Sequence, residues 1–153
     1  GTTFTIYLPA IAEPAELLLP QDDQLEFQGG TETVLLVEDE AAVRKLTIEV
    51  LERQGYRVLS AINGRDATRV FENSDNEDID LLLTDVVMPL MGGRELAKIY
   101  KSRYPEGKVI YMSGYPSATQ PDADFLRSQA DFMQKPITLS DLTRKIRETL
   151  DVD

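Results

Sequence analysis

The chain has 153 residues, 16 Lys and Arg against 27 Asp and Glu, a formal net charge of -11, and no cysteine, histidine or tryptophan. That length suits one domain with some tail, able to bury roughly 68–70% of its unfolded surface without metal or disulfide staples. The missing residue types exclude disulfides, thiol nucleophiles, histidine–zinc sites and serine–histidine triads, and the acidic balance argues against a nucleic-acid or anionic-membrane surface.

No apolar run approaches the ~20 residues of a membrane span, and the start lacks a charged-then-apolar leader. The expectation is a soluble cytoplasmic segment, with Gly1 a cut made in a longer protein whose other segments could anchor it to a membrane. Residues 1–9 alternate, with Phe4, Ile6 and Leu8 on one face, and read as a strand closed by Pro9. Residues 10–32 carry Pro14, Pro20, Asp22-Asp23 and Gly29-Gly30 and read as a linker; Leu17-Leu18-Leu19 is its one apolar cluster.

A different rhythm begins at Thr33 and runs to about residue 151. Val34 to Val37 is a continuous apolar run, as in a strand buried on both faces. The spacing of Val43, Leu46, Val50 and Leu51 predicts a helix over 41–54, stopped by Gly55. Tyr56 to Leu59 reads as a second strand. Asn63 is the expected N-cap of a helix to about Glu72, burying Ala67, Val70 and Phe71. Ile79 to Thr84 is the third and most apolar strand. Leu96, Ile99 and Tyr100 mark a helix from Gly93 that Pro105 stops. Val109 to Met112 is the fourth strand, and Gly114 to Gln129, interrupted by Pro116 and Pro121, holds at most a short helix. Phe132-Met133 belongs to a brief fifth strand, and Leu139, Leu142, Ile146 and Leu150 define a last helix.

Strands alternating with helical segments imply a parallel sheet covered on both faces, joined by right-handed crossovers. Ligands then sit beyond the carboxyl ends of the strands. Those ends carry Glu38-Asp39-Glu40, Asp85, Ser113-Gly114 and Lys135-Pro136. Singly, such residues are ordinary loop acids, turn formers and surface lysines. Jointly they place several carboxylates, one hydroxyl and one ammonium on a single rim. Two carboxylates at ~4 Å repel by about 4 kcal/mol at an effective dielectric of ~20. One Lys cannot offset three such groups, so a divalent cation is the natural partner, and all-oxygen ligation favours Mg²⁺.

From Thr33 to Leu150 the sequence resembles the receiver domain of two-component response regulators. The acidic pair, Asp85-x-x-Met88-Pro89-x-x-x-Gly93, Ser113-Gly114 and Lys135-Pro136 carry the match. The resemblance implies a doubly wound, flavodoxin-like α/β fold with strand order 2-1-3-4-5 and helices on both faces. It implies that Asp85 is the phosphoacceptor and that Glu38, Asp39, Asp85 and the Val87 backbone carbonyl hold Mg²⁺. Ser113 would bind a phosphoryl oxygen, Lys135 would pair with the phosphoryl group across a cis bond to Pro136, and Phe132 would be the aromatic switch. An ionised Asp85 needs no general base, which suits a histidine-free chain. Glu38 stands where Asp is more frequent, and Phe132 where Tyr is. Val87 and Tyr115, two residues beyond Asp85 and Ser113, are bulky, so slow self-hydrolysis of the phosphoprotein is expected.

The implied donor is a phosphohistidine, on the dimerisation helices of a histidine kinase or on a histidine phosphotransfer protein. Residues 1–9 resemble the closing strand of a histidine-kinase ATP-binding domain, so the expected parent is a hybrid sensor histidine kinase. This segment would lack the kinase core and catalyse only its own phosphorylation. On the first helix Ile48 is expected to face outward with Arg44, Lys45 and Glu52 and to dock the donor. Two other readings remain: an unphosphorylated docking scaffold, and an aspartyl-phosphate hydrolase of the haloacid dehalogenase type, which typically needs a second Asp where this chain has Val87. A dinucleotide-binding dehydrogenase is disfavoured because no Gly-x-Gly-x-x-Gly follows the first strand.

Overall fold

The computed structural model describes residues 2, 3, 5, 29–73, 78–114 and 131–151. The expected strand at residues 1–9 lies largely outside the described residues, as do most of the linker, Tyr115 and the segment from there to Gln129.

Five strands form one parallel sheet: β1 (Thr33–Val37), β2 (Arg57–Ala61), β3 (Leu81–Asp85), β4 (Lys108–Ser113) and β5 (Phe132–Gln134), in the order β2-β1-β3-β4-β5. Four helices are described with them: α1 (Ala41–Arg53), α2 (Gly64–Asn73), α3 (Gly93–Arg103) and α4 (Leu139–Leu150). The order reverses beside β1, where the chain steps from β1–β2 pairing to β1–β3 pairing. This is the doubly wound α/β sheet expected, and it sets the ends of β1 and β3 side by side.

The continuous apolar runs of β1 and β3 are fully buried because both faces are covered. Leu35 and Val37 face a cluster with Ala67 and Phe71 of α2 and Leu96 and Tyr100 of α3. Val34 and Leu36 face the opposite cluster with Leu51 of α1 and Leu142 and Ile146 of α4. Buried Tyr100 keeps its hydroxyl satisfied by donating to the Ile79 carbonyl at 2.7 Å.

The helix ends follow local chemistry. Asn63 Oδ1 accepts from the Asp66 N–H at 2.9 Å and caps α2. Thr138 caps α4 through the Asp141 N–H at 3.1 Å. Gly55, at φ +90°, closes α1 in a conformation that glycine takes without strain.

Helix phase is where the structure departs from the sequence reading. Leu46 is 54% exposed, whereas Ile48 is half-buried against the α1–α4 cluster. At about 100° per residue, Ile48 stands about 60° around α1 from buried Leu51, and Leu46 about 140°. Ile48 is therefore not the outward residue expected, and Arg44 is half-buried as well. On α3, Ala97 takes the buried place expected of Ile99. On α4, Leu139, the first residue of the helix, is exposed rather than buried with Leu142 and Ile146. Among the described residues no helix is long and apolar enough to cross a membrane.

Candidate active site

The three inner strands of the sheet, β1, β3 and β4, each bring one candidate residue to the carboxyl end. Glu38 follows β1, its N–H donating to the Ala61 carbonyl of the β2 end at 3.2 Å, and it is only 1% exposed. Asp85 is the last residue of β3, and the Val86 N–H that follows it donates to the Met112 carbonyl of β4 at 2.9 Å. Ser113, buried, ends β4, and its carbonyl accepts from the Lys135 N–H at 2.7 Å. That contact carries Lys135 to the centre of the rim, and the Lys135–Pro136 peptide is cis, as expected.

The Lys135 ammonium lies 2.6 Å from Glu38 Oε2 and 2.7 Å from Asp85 Oδ2, bridging the two acids. The other oxygens are held by backbone: Glu38 Oε1 accepts from the Glu40 N–H at 3.3 Å, and Asp85 Oδ1 from the Val87 N–H at 3.2 Å. Burial pulls the Lys135 pKa down, but its hydrogen bonds to Asp85 and then Glu38 outweigh that, and the group is raised above the ordinary lysine value. Lys135 is thus a fixed cation.

Asp39 completes the cluster. Glu38, Asp39 and Asp85 each offer a carboxylate oxygen, and the three oxygens lie within 4.8 Å of one another. Oxygens on one octahedral Mg²⁺ at about 2.1 Å stand about 3.0 Å apart when adjacent and about 4.2 Å when opposite, so the three carboxylates need draw in by no more than about 2 Å to share an ion. The donor set is all oxygen and carries three negative charges against the single charge of Lys135. That chemistry fits a small hard cation.

The structure therefore brings together Glu38, Asp39, Asp85 and Lys135, with Ser113 at the adjoining strand end. Val87 lies at the rim, 65% exposed, with its N–H turned to Asp85. Phe132 starts β5, opposite Tyr111, and is half-buried against the α2–α3 cluster. Two further residues bond to the backbone of the site, and neither is expected there from the sequence, which places Arg44 on the outward docking face of α1. Thr84 Oγ1 donates to the Asp85 carbonyl at 2.9 Å. Arg44 reaches back from α1 and donates to the carbonyls of Glu38 at 2.7 Å and Asp39 at 3.3 Å. Both bond to backbone carbonyls, which no residue spacing marks.

Beside Lys135 an apolar groove of about 320 Å³ runs between α1 and the start of α4, bordered by Leu46, Thr47, Pro136, Ile137 and Leu139.

A family model described as the response regulator receiver domain matches residues 34–147. The chain is 35% identical over 162 residues to Sensor kinase CckA of Brucella abortus (strain 2308), an alignment that covers 99% of this chain and 17% of the kinase. It is 37% identical over 118 residues to Response regulator receiver protein CpdR of the same organism, covering 76% of this chain and 95% of that protein. The crystal structure of a CheY-like response regulator receiver domain protein from Methanospirillum hungatei JF-1 is similar at TM-score 0.67 and 30% identity, over 80% of this chain and 95% of that one.

Proposed function

The chain belongs to the response regulator receiver domain family of two-component signalling, and from that premise we propose that Asp85 takes a phosphoryl group from a phosphohistidine donor. The observation that carries this reading is the convergence of three carboxylate oxygens within 4.8 Å beside an ammonium that touches two of the acids.

In the proposed step an Asp85 carboxylate oxygen attacks phosphorus in line with the departing histidine nitrogen. The P–N bond breaks, its electron pair stays on the imidazole, which takes a proton from water, and Asp85 becomes an acyl phosphate. Phosphoryl transfer depends mainly on positioning and charge stabilisation. Lys135 follows the charge from the Asp85 carboxylate to the phosphoryl oxygens. Ser113 offers its hydroxyl to one of them at the end of β4, and Phe132 repacks in response. Glu38, Asp39, Asp85 and the Val87 carbonyl would hold Mg²⁺, which supplies counter-charge for the phosphoryl oxygens.

The parent is proposed to be a hybrid sensor histidine kinase. The family match begins at residue 34, yet the similarity to the sensor kinase covers 99% of the chain and so includes the segment before it. The donor is accordingly the phosphorylated dimerisation helices of such a kinase or a histidine phosphotransfer protein. Its docking surface is the groove between α1 and α4, where exposed Leu46 and Leu139 flank the path to Lys135.

The test is transfer from a kinase core carrying labelled phosphohistidine. The label should move to the wild-type chain in Mg²⁺, and EDTA or Asp85→Asn should abolish the movement. Transfer that survives either would refute the reading.

A further inference from the structure

We propose that Arg44 is a positioning residue for the acidic pair, holding the turn after β1 so that the Glu38 and Asp39 carboxylates can share one cation; this rests on the Mg²⁺-dependent reading above. The Arg44 guanidinium donates from one nitrogen to two successive carbonyls, at 2.7 Å to Glu38 and 3.3 Å to Asp39. Those carbonyls belong to the residues whose side chains form the site.

Glu38 is fixed on every side. Its N–H is held by β2, its carbonyl by Arg44, and its two carboxylate oxygens by the Glu40 N–H and Lys135. Asp39 is exposed, and its carbonyl is held by the second Arg44 contact. The N-cap residue of α1, Glu40, makes no side-chain capping hydrogen bond. The turn is instead secured from within the helix, by Arg44, whose own N–H bonds the Glu40 carbonyl at 2.9 Å. A peptide plane free to rotate at Asp39 would swing its carboxylate away from Asp85.

The sign of the effect separates positioning from simple charge. Arg44 is a cation near a cation site, so by Coulomb's law its removal alone favours Mg²⁺. Its loss as a brace disfavours Mg²⁺, and groups that orient ligands typically cost 10–100-fold in metal affinity when removed.

The experiment is calorimetric titration of the metal-free chain with MgCl₂, at a temperature well below the unfolding midpoint of every variant. Arg44→Ala should weaken Mg²⁺ binding by about 10-fold or more. Arg44→Lys, which keeps a donor and the charge, should fall between Arg44→Ala and wild type. Lys45→Ala, an exposed neighbour on the same helix, should bind Mg²⁺ as tightly as wild type or more so. Equal or tighter binding by Arg44→Ala overturns the positioning role while leaving the acceptor reading intact. Failure of the wild type to bind Mg²⁺ overturns both.

Discussion

At the scale of single residues the site is governed by where charge is left over. Lys135 satisfies one oxygen each of Glu38 and Asp85, and Glu38, one methylene longer than aspartate, reaches the ammonium while remaining 1% exposed. Asp39 stays open to solvent. The acids, Ser113 and Lys135 were legible in the sequence because each follows a recognisable apolar run. Arg44 and Thr84 were not, because they bond to backbone carbonyls, and a carbonyl leaves no mark in a residue pattern. Val87 projects an apolar, 65% exposed side chain beside Asp85 and offers no hydrogen bond to an incoming water. The phosphorylated protein should therefore lose phosphate slowly. Val87→Asn should shorten the lifetime of the phosphorylated form several-fold, measured by decay of label on the isolated protein; an unchanged lifetime would show that water is ordered elsewhere.

At the scale of elements, strands were easier to read than helix faces. The runs at 34–37 and 81–83 are apolar throughout, and only a strand covered on both faces suits them. Helix α1 carries Val43, Leu46, Ile48, Val50 and Leu51, apolar residues spread around most of its circumference. Such a helix has no single stripe to declare its buried side, so Ile48 packs against the core and Leu46 faces out, the opposite of what the spacing of Val43, Leu46, Val50 and Leu51 suggests. The consequence is measurable. Leu46→Asp, beside the groove near Lys135, should slow transfer from a phosphohistidine donor about tenfold while leaving labelling by acetyl phosphate unchanged, since one well-placed apolar contact contributes about 1–2 kcal/mol to an interface. Ile48→Asp should instead destabilise the domain by about 1–3 kcal/mol, because it places a charge against the core. A docking defect for Ile48→Asp without loss of stability would reverse the assignment of the two residues.

At the scale of the whole molecule the two ends of the sheet do different work. The carboxyl ends of the strands gather the charges described above, and the opposite end fastens the approaching chain. The Gly30 N–H donates to the Gln54 carbonyl at 3.1 Å, and the Glu32 carbonyl accepts from the Arg57 N–H at 3.0 Å. Arg147, near the end of α4, pairs with Glu32 at 2.7 Å and Asp151 at 2.8 Å. The glycine pair at the end of the linker is closely approached: a Cβ on Gly29 would meet the Gln54 backbone, and one on Gly30 the side chains of Glu32, Tyr56 and Arg147. Pairing with Arg147 lowers the Glu32 pKa below its ordinary value of 4.5, against the opposing effect of burial. A depressed carboxylate stabilises the fold fully above its ordinary range and ceases to do so as pH falls through its folded-state value. Glu32→Gln should cost about 1–2 kcal/mol at neutral pH, and the gap from wild type in urea midpoint should narrow as pH falls below about 4.5. A gap of constant size would show that the pair does not couple to folding.

The central claim is that Asp85, among converging acids and one fixed ammonium, is the atom-bearing site of phosphorylation in a Mg²⁺-dependent reaction. Intact-mass measurement after incubation with acetyl phosphate tests it without any partner protein. The wild-type chain should gain the mass of one phosphoryl group in Mg²⁺ and none in EDTA, and Asp85→Asn should gain none in either. A mass gain retained by Asp85→Asn, or one indifferent to EDTA, would contradict the account.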